Sequence, residues 1–163
     1  MEKITCGVSG HRPEKLPWGY DESDPRCLAL KQEMRELLLQ LIKGGCRSFI
    51  CGMARGVDLY FLEILLKLKE EYPLTLEAAV PCPSQAASWR EEQRKRYEEG
   101  LLACDVVTVL EAEYTPGCML RRNRYLVDHS DLIITVYDGS SGGTAATVEY
   151  AREKGVTILP LWR

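Results

Sequence analysis

The sequence predicts an α/β protein: a three-layer Rossmann-like sandwich built on a mostly parallel sheet of about six strands. Two observations predict this fold. Short runs that are apolar on both faces and bounded by turn residues are typical of strands buried in a parallel sheet, and segments with helical period lie between them. Because strand and helix alternate along the chain, each strand must return to the sheet through a crossover, with helices on both faces.

Each predicted element has its own pattern. The strands are the apolar, often β-branched runs at 4–8, 48–51, 75–80, 106–110, 132–137 and 157–161. The helices are the segments with helical period at 25–43, 56–72, 84–103, 118–129 and 144–154. The first helix is the clearest, because the apolar side chains between Met34 and Ile42 fall at helical spacing and Gly44 supplies a stop.

The helix predicted at 56–72 is apolar on nearly every side. From Leu59 to Leu66 it offers almost no polar face. Such a helix must be buried on more than one side. Two alternatives are open: it lies at the centre of the fold, or it forms the interface of a homodimer.

Residues 9–24 form the longest piece without predicted secondary structure. This piece carries His11, Arg12, Trp18 and Tyr20. A loop of this length in a compact domain is usually functional. The alternative is an Ω-loop that packs on its own aromatic side chains.

Length, composition and charge limit the classes of function. The chain has 163 residues, 45% hydrophobic and 28% charged, so we expect a single domain over residues 1–163 and exclude disordered and collagen-like chains. Twenty-one Lys and Arg against 24 Asp and Glu give a net charge of -3. This balance provides no general basic field for nucleic acid, so we do not expect a nucleic-acid partner, and any anion site must be local.

The sequence shows no pattern typical of a targeting segment or of a metal site. No uncharged stretch approaches the length of a membrane span, and the start of the chain is unlike a signal peptide, so we expect a cytoplasmic protein without membrane contact. The seven cysteines are scattered without a C-x-x-C pair, which favours reduced core residues over disulfides or zinc. With only two histidines, we predict no metal site.

The turns after the strands should carry the binding chemistry. In open parallel sheets the ligand crevice lies beyond the carboxyl ends of the strands. Small or donor-rich residues follow the first predicted strand (Ser9, Gly10, His11 and Arg12), and a glycine-flanked turn into a helix follows the second (Gly52, Ala54, Arg55, Gly56 and Asp58). Free N–H groups at such a helix start can hold a phosphate or carboxylate. The alternative for the second turn is a tight turn in which Asp58 complements the helix N-terminus.

The turn after the fifth predicted strand is the most specific signal. It combines glycines and hydroxyls at a helix start: Asp138, Gly139, Ser140, Ser141, Gly142, Gly143 and Thr144. Such a sequence makes a nest of N–H donors with no side chain in the way. The alternative is a flexible hydrophilic loop.

Arginines and one tryptophan complete the predicted site. Arg121, Arg122, Asn123 and Arg124 lie in the helix predicted at 118–129. With Arg12 and Arg55 they would place up to five guanidiniums, which suit bidentate phosphate contacts, around one crevice. The alternative is a solvated helix face. The charged segment 90–99 is typical of an exposed helix face, and Trp89 would mark its buried side. The alternative is that Trp89 faces the crevice and forms a wall on which a base stacks.

Five ordered motifs resemble one known family. They are Ser-Gly-His-Arg-Pro at 9–13, Gly-x-Ala-Arg-Gly-Val-Asp at 52–58, Met-Leu-x-Arg-Asn-Arg-Tyr-x-Val-Asp at 119–128, Ser-Asp at 130–131 and the glycine-rich stretch 137–148. The pattern resembles the YpsA/YoqJ-like family of the SLOG superfamily over essentially the whole chain. This superfamily includes lonely-guy phosphoribohydrolases, DprA-type DNA-processing proteins and domains that sense NAD-derived signalling nucleotides. The resemblance implies a Rossmann-like pocket for a nucleotide ligand.

The resemblance leaves the activity open. The catalytic arginine of the lonely-guy enzymes falls on Arg122, but their catalytic glutamate falls on Thr147, and Glu149 lies two positions too late. Asp138 and Asp58 are the acids that would substitute for it in an enzyme.

Three functions follow. The first is a cytoplasmic domain that binds or senses a nucleotide-derived ligand, such as ADP-ribose, an NAD-like molecule or another phosphorylated nucleoside. The second is a nucleotide N-glycosidase or phosphoribohydrolase with Asp138, Asp58 and Arg122 as its candidate catalytic residues. The third is single-stranded nucleic-acid binding of the DprA kind, which the acidic charge disfavours. No cofactor is implied other than a bound nucleotide.

Overall fold

A computed structural model describes residues 3–162 and confirms the α/β, Rossmann-like fold. Within that range six parallel strands form one sheet in the order β4-β3-β2-β1-β5-β6, crossed over by five α-helices. The strands are β1 (Thr5–Gly10), β2 (Ser48–Cys51), β3 (Thr75–Val80), β4 (Val106–Val109), β5 (Leu132–Val136) and β6 (Thr157–Trp162). The helices are α1 (Pro25–Lys43), α2 (Val57–Leu68), α3 (Glu91–Ala103), α4 (Cys118–Asp128) and α5 (Gly143–Glu153).

The register places β1 at the centre of the sheet. Cys6 pairs with Phe49 on one side and with Leu132 on the other. The chain order reverses beside β1, because β2 to β4 extend one way and β5 and β6 the other. A ligand crevice of an open α/β sheet lies at such a switch point.

Both faces of the sheet are covered, as the crossover argument requires. The larger core cluster packs under α1, α2 and α3 and contains Met34, Phe49 and Phe61. The smaller one packs under α4 and α5 and contains Leu126 and Ile133. Six of the seven cysteines are buried and free, and Cys104 is half-buried, consistent with thiols acting as small core residues.

Helix α2 lies between α1, α3 and β1 and is buried along most of its length. Tyr60 and Phe61 are among its fully buried side chains. The fold of one chain therefore accounts for its apolar composition. A homodimer through 57–68 stays a prediction.

Three predicted boundaries are wrong by two residues or more. The helix expected at 84–103 begins only at Glu91, because 83–88 form successive turns and Arg90 is extended. Gln85 is buried in these turns and donates to the carbonyl of Gly52. This contact attaches the segment to the core in a turn conformation, so the helix does not extend over it. The helix expected to reach residue 72 ends at Leu68, and β1 continues to Gly10.

The predicted loop 9–24 is more ordered than the sequence indicates. It begins with the end of β1 and contains a 3₁₀-helix at Pro13–Lys15. Leu16 and Trp18 are buried, and the Trp18 indole donates to the Tyr60 hydroxyl at 3.1 Å. Packing on aromatic side chains thus holds the far part of the loop, while its start stays at the sheet edge. No helix of the described residues is long and apolar enough to cross a membrane.

Candidate functional site

A cavity of about 410 Å³ opens at the carboxyl ends of β1 and β5, where the chain order of the sheet reverses. Four parts of the chain line it: the end of β1 with the turn that follows, the start of α2, the middle of α4 and the start of α5. The predicted residues that line the cavity are Ser9, Gly10, His11, Arg12, Ala54, Asp58, Arg122, Asn123, Ser140, Gly142, Gly143 and Thr144.

Gly10 allows β1 and α2 to meet beside the cavity. A Cβ at Gly10 would lie 2.4 Å from Val57 Cγ1, which is far below any normal contact. The N–H of Val57 also donates to the carbonyl of His11. The glycine is therefore needed for a close approach of two elements.

His11 and Asp138 connect the ends of β1 and β5. His11 is buried, and its Nε2 lies 3.0 Å from Asp138 Oδ1 and 3.2 Å from the Asp138 backbone nitrogen. Hydrogen bonds from Ser140 and from His11 hold the pKa of Asp138 well below its usual range. Asp138 therefore orders the first part of the glycine-rich loop, although it does not itself line the cavity.

Helix α5 begins at the cavity without a side-chain cap. Its N-cap residue is Gly142, at φ 141°, which a side chain would strain. A Cβ at Gly143 would meet nothing within 4 Å. The N–H groups of the first turn and the positive end of the helix dipole are left available for an anion.

A carboxyl group and a guanidinium form the buried floor of the cavity. Asp58 accepts the backbone N–H of Ala54 at 3.1 Å through Oδ2. Burial raises the pKa of Asp58 to about 6, although the nearby Arg122 guanidinium acts in the opposite direction. Burial lowers the pKa of Arg122, which Asp58 opposes.

Arg122 is held rigidly in this floor. It is 3% exposed, donates through Nη1 to the carbonyl of Gly52 and through Nε to Asn123 Oδ1 at 2.8 Å. A Cβ at Gly52 would lie 2.9 Å from the guanidinium carbon. Gly52 thus lies outside the cavity lining but makes room for the arginine that lines it.

Two charged residues of the lining were missed by sequence reasoning. Lys15 and Glu14 belong to the 3₁₀-helix after β1, and Lys15 Nζ donates to the carbonyl of Ser141 at 2.6 Å. Lys15 therefore spans the two loops on either side of the cavity. The sequence hinted at Lys15 only by its position in the loop 9–24, because it is the 3₁₀-helix that directs this side chain back to the edge of the sheet.

Several predicted residues lie outside the cavity. Arg55 donates to the Tyr20 hydroxyl at 3.0 Å, and its guanidinium lies over the Trp89 ring. Arg121 pairs with Glu111, and Arg124 lies over a tyrosine ring of α5. Of the five predicted guanidiniums, those of Arg12 and Arg122 line the cavity; the other predicted residues beyond it are Gly52, Arg55, Gly56, Trp89, Arg121, Arg124, Asp138 and Gly139.

Comparison with known proteins identifies the family. The model of the family YpsA, described as the YspA SLOG family, matches residues 6–156. The chain belongs to this family. It is 31% identical over 156 residues to the SPbeta prophage-derived protein YoqJ of Bacillus subtilis, covering 86% of this chain and 90% of YoqJ. It is 30% identical over 153 residues to a UPF0398 protein of Bacillus anthracis, covering 91% and 82%.

Two solved structures share the fold. DNA processing protein A from Helicobacter pylori, whose structure describes a single-stranded DNA binding mode, superposes with a TM-score of 0.65 at 18% identity. DprA from Streptococcus pneumoniae superposes with a TM-score of 0.64 at 15% identity. This chain is almost fully covered in both cases, but it spans 64% and 50% of those longer chains.

Proposed function

We propose that the cavity binds a phosphorylated nucleoside, with ADP-ribose and NAD-like molecules as the leading candidates. The observation that carries this proposal is that the uncapped start of α5 and three cationic side chains line the same cavity. Arg122 is buried there, whereas Arg12 and Lys15 are exposed at the rim. In a chain with a net charge of -3, this local group of cations favours an anionic ligand at one place.

The volume supports a small molecule. Pockets for cofactors and other small ligands are usually about 300–1,000 Å³, and this one is about 410 Å³. The phosphates would lie against the N–H groups of Gly143 and Thr144, with Lys15 close to them. Lys15 would exchange the Ser141 carbonyl for a phosphate oxygen, which is the stronger, charge-assisted partner.

The rest of the lining suits a sugar. Asp58 uses one carboxylate oxygen for Ala54, which leaves the other as an acceptor for a ribose hydroxyl. Asn123 accepts a hydrogen bond from Arg122 through its side-chain oxygen. Its amide NH₂ therefore points away from Arg122 and would act as a donor to the ligand. A ligand that joins phosphates to a polyol would use both groups.

A matched pair of variants at Gly143 tests the proposal. Both Gly143→Asp and Gly143→Asn fit the open space at this position, but only the first places a negative charge at the phosphate subsite. An acid near a helix N-terminus stabilises the helix, so we expect Gly143→Asp to stay folded. We expect isothermal titration calorimetry with ADP-ribose to show a loss of about tenfold or more in affinity for Gly143→Asp, and a much smaller change for Gly143→Asn.

Equal affinity of the two variants would contradict a phosphate subsite at this helix start. Absence of heat with ADP-ribose, NAD and AMP in the unmodified protein would contradict the ligand class. A single-stranded oligonucleotide belongs in the same series, because a fold neighbour is described by its single-stranded DNA binding mode. If only the oligonucleotide bound, and did so in a salt-dependent way, the function would be single-stranded nucleic-acid binding in place of nucleotide binding.

Hydrolysis of the ligand is the second candidate function. The observation that favours it is Asp58, whose pKa of about 6 suits proton transfer near neutral pH. Arg122 is close enough to stabilise developing negative charge, and Asp138 is the second acid at the sheet edge. If this function holds, incubation with nucleotides should release ribose phosphate, and Asp58→Asn should stop the release. Asp138 lies outside the cavity lining, so Asp138→Asn should act only through the order of the glycine-rich loop. Binding without turnover across a nucleotide panel would leave the sensor function.

A further inference from the structure

The two edges of the sheet are built differently. Edge strand β6 contains Pro160, and its pairing with β5 is irregular between Thr135 and Val136. Proline and bulges protect a sheet edge against pairing with another chain. Edge strand β4, with the sequence Val-Val-Thr-Val, has no proline and no charged residue.

Strand β4 exposes apolar side chains on both faces of the sheet. Val106, Val107 and Val109 are 45%, 44% and 48% exposed, although successive side chains point to opposite faces. Leu102, at the end of the preceding helix α3, is 88% exposed. Exposed valines on both faces of an unprotected edge indicate a surface that another strand covers.

The backbone of β4 also presents unused hydrogen-bonding groups. The N–H of Asp105 donates inward to the carbonyl of Leu76. Since consecutive residues of a parallel strand alternate in direction, the N–H and C=O groups of Val106 and Thr108 point outward. Among residues 3–162 no strand pairs with this outer side of β4.

We propose that a second copy of this chain pairs its β4 antiparallel with this edge, on a two-fold axis through Val107. In this register Val106 lies opposite the partner's Thr108, and Thr108 lies opposite the partner's Val106. Each of these pairs exchanges two N–H···O bonds, so all four outward N–H groups find a carbonyl. Val107 packs against its symmetry mate in the pair without hydrogen bonds, where side chains come closest.

The self-complementary hydrogen-bonding pattern of β4 favours a second copy as the occupant, and the charges at the two ends of the strand do not oppose it. Asp105 pairs with Lys69 at one end of β4, and Glu111 pairs with Arg121 just beyond the other end. The antiparallel arrangement brings the first ion pair of one copy beside the second ion pair of the other. Two cations and two anions then meet at each end of the interface, with no net repulsion. The result is a continuous sheet with a closed, isologous interface.

The oligomeric state tests the proposal. Light scattering coupled to size exclusion should give a mass that rises with concentration toward twice the chain's 18.5 kDa. Val107→Lys places two like charges opposite each other at the axis and should return the protein to a monomer. Leu28→Lys, at a 54% exposed position of α1, is the matched control and should leave the dimer intact.

Cysteine crosslinking tests the register. Residues in a pair without hydrogen bonds have Cα atoms about 4.5 Å apart, close enough for a disulfide. Mild oxidation should therefore link Val107→Cys across the axis far more than Val106→Cys or the unmodified chain. A monomer at every concentration, or a dimer that survives Val107→Lys, would overturn the proposed interface. Preferential crosslinking of Val106→Cys would overturn the register.

Discussion

Asp58 lies in an environment far from that of an ordinary aspartate. A surface aspartate at a helix start is ionised and simply complements the dipole. Asp58 is instead 6% exposed, and burial raises its pKa from 3.8 to about 6. The fold therefore holds a carboxyl that titrates close to neutral pH beside the ligand cavity.

The raised pKa predicts a pH-dependent stability difference between the protein and Asp58→Asn. A folded-state pKa above the unfolded value means that the folded protein binds the proton more tightly, so this contribution is present below pH 4 and lost as the pH rises through 6. At roughly 1.4 kcal/mol per pKa unit, the free energy of unfolding relative to Asp58→Asn should fall by on the order of 3 kcal/mol over this window. Urea unfolding at several pH values measures it. A constant difference from pH 4 to 7 would mean that Asp58 titrates alike in both states.

Gly10 predicts a purely steric effect. The methyl group of Gly10→Ala would collide with Val57, so we expect a loss of about 1–3 kcal/mol in the free energy of unfolding. Shortening the neighbour in the double variant Gly10→Ala, Val57→Ala should recover part of that loss. A double-mutant cycle by urea denaturation gives the coupling energy. Gly143→Ala is the control, since its methyl group meets open space; additive effects at 10 and 57 would contradict the close contact.

At the scale of elements, ion pairs attach the loop before α1 to the helices beside it. Arg96 of α3 donates to both carboxylate oxygens of Glu22 and to Glu63 of α2, and Lys31 of α1 also donates to Glu22. The Arg96 and Glu22 side chains are less than one quarter exposed. A half-buried network of this kind holds loop and helices together more firmly than isolated surface pairs do.

The network predicts unequal effects of two neighbouring substitutions on α3. Arg96→Gln should lower the free energy of unfolding by about 1–2 kcal/mol, because it leaves two carboxylates without their main partner. Lys95→Gln should have almost no effect, because Lys95 and Glu99 form an exposed pair at 4.0 Å. Chemical denaturation of both variants at the same ionic strength makes the comparison. Equal losses would show that the Arg96 bonds contribute no more than a surface pair.

At the scale of the whole molecule, one sheet connects all the elements. Every strand pairs with its neighbours in a single parallel sheet, and cores on its two faces share those strands. The cavity draws on the end of β1, on the loop that follows β5 and on three helices, so it exists only when the sheet is assembled.

The single sheet predicts cooperative unfolding. Far-ultraviolet circular dichroism and tryptophan fluorescence should give coincident transitions, since neither core can persist without the strands it shares with the other. Two separated midpoints would divide the chain into more than one domain. ADP-ribose should shift the single midpoint upward as its concentration rises, if it binds the folded cavity.

Most of the fold could be predicted from the sequence because strands buried on both faces of a parallel sheet are apolar along their whole length. The runs at 48–51 and 75–80 are bounded as predicted, and helix 25–43 shows its apolar stripe and its stop. The start of α3 could not be read, because residues 84–90 have helical composition but are held in turns by a tertiary contact of Gln85. The helical spacing of apolar residues shows which side of a segment is buried, but it does not show which part of the protein that side contacts.

The candidate site divides in the same way. Alternation of strands and helices determined that turns after the strands would meet at one edge, and the glycines at 10, 142 and 143 marked where backbone comes close or lies open. Only the tertiary structure decided which cations face the cavity. Consecutive residues of a helix point about 100° apart, so Arg122 is directed inward while Arg121 and Arg124 meet Glu111 and Tyr150. Lys15 joins the site through a contact 126 residues distant in sequence, which local patterns do not encode.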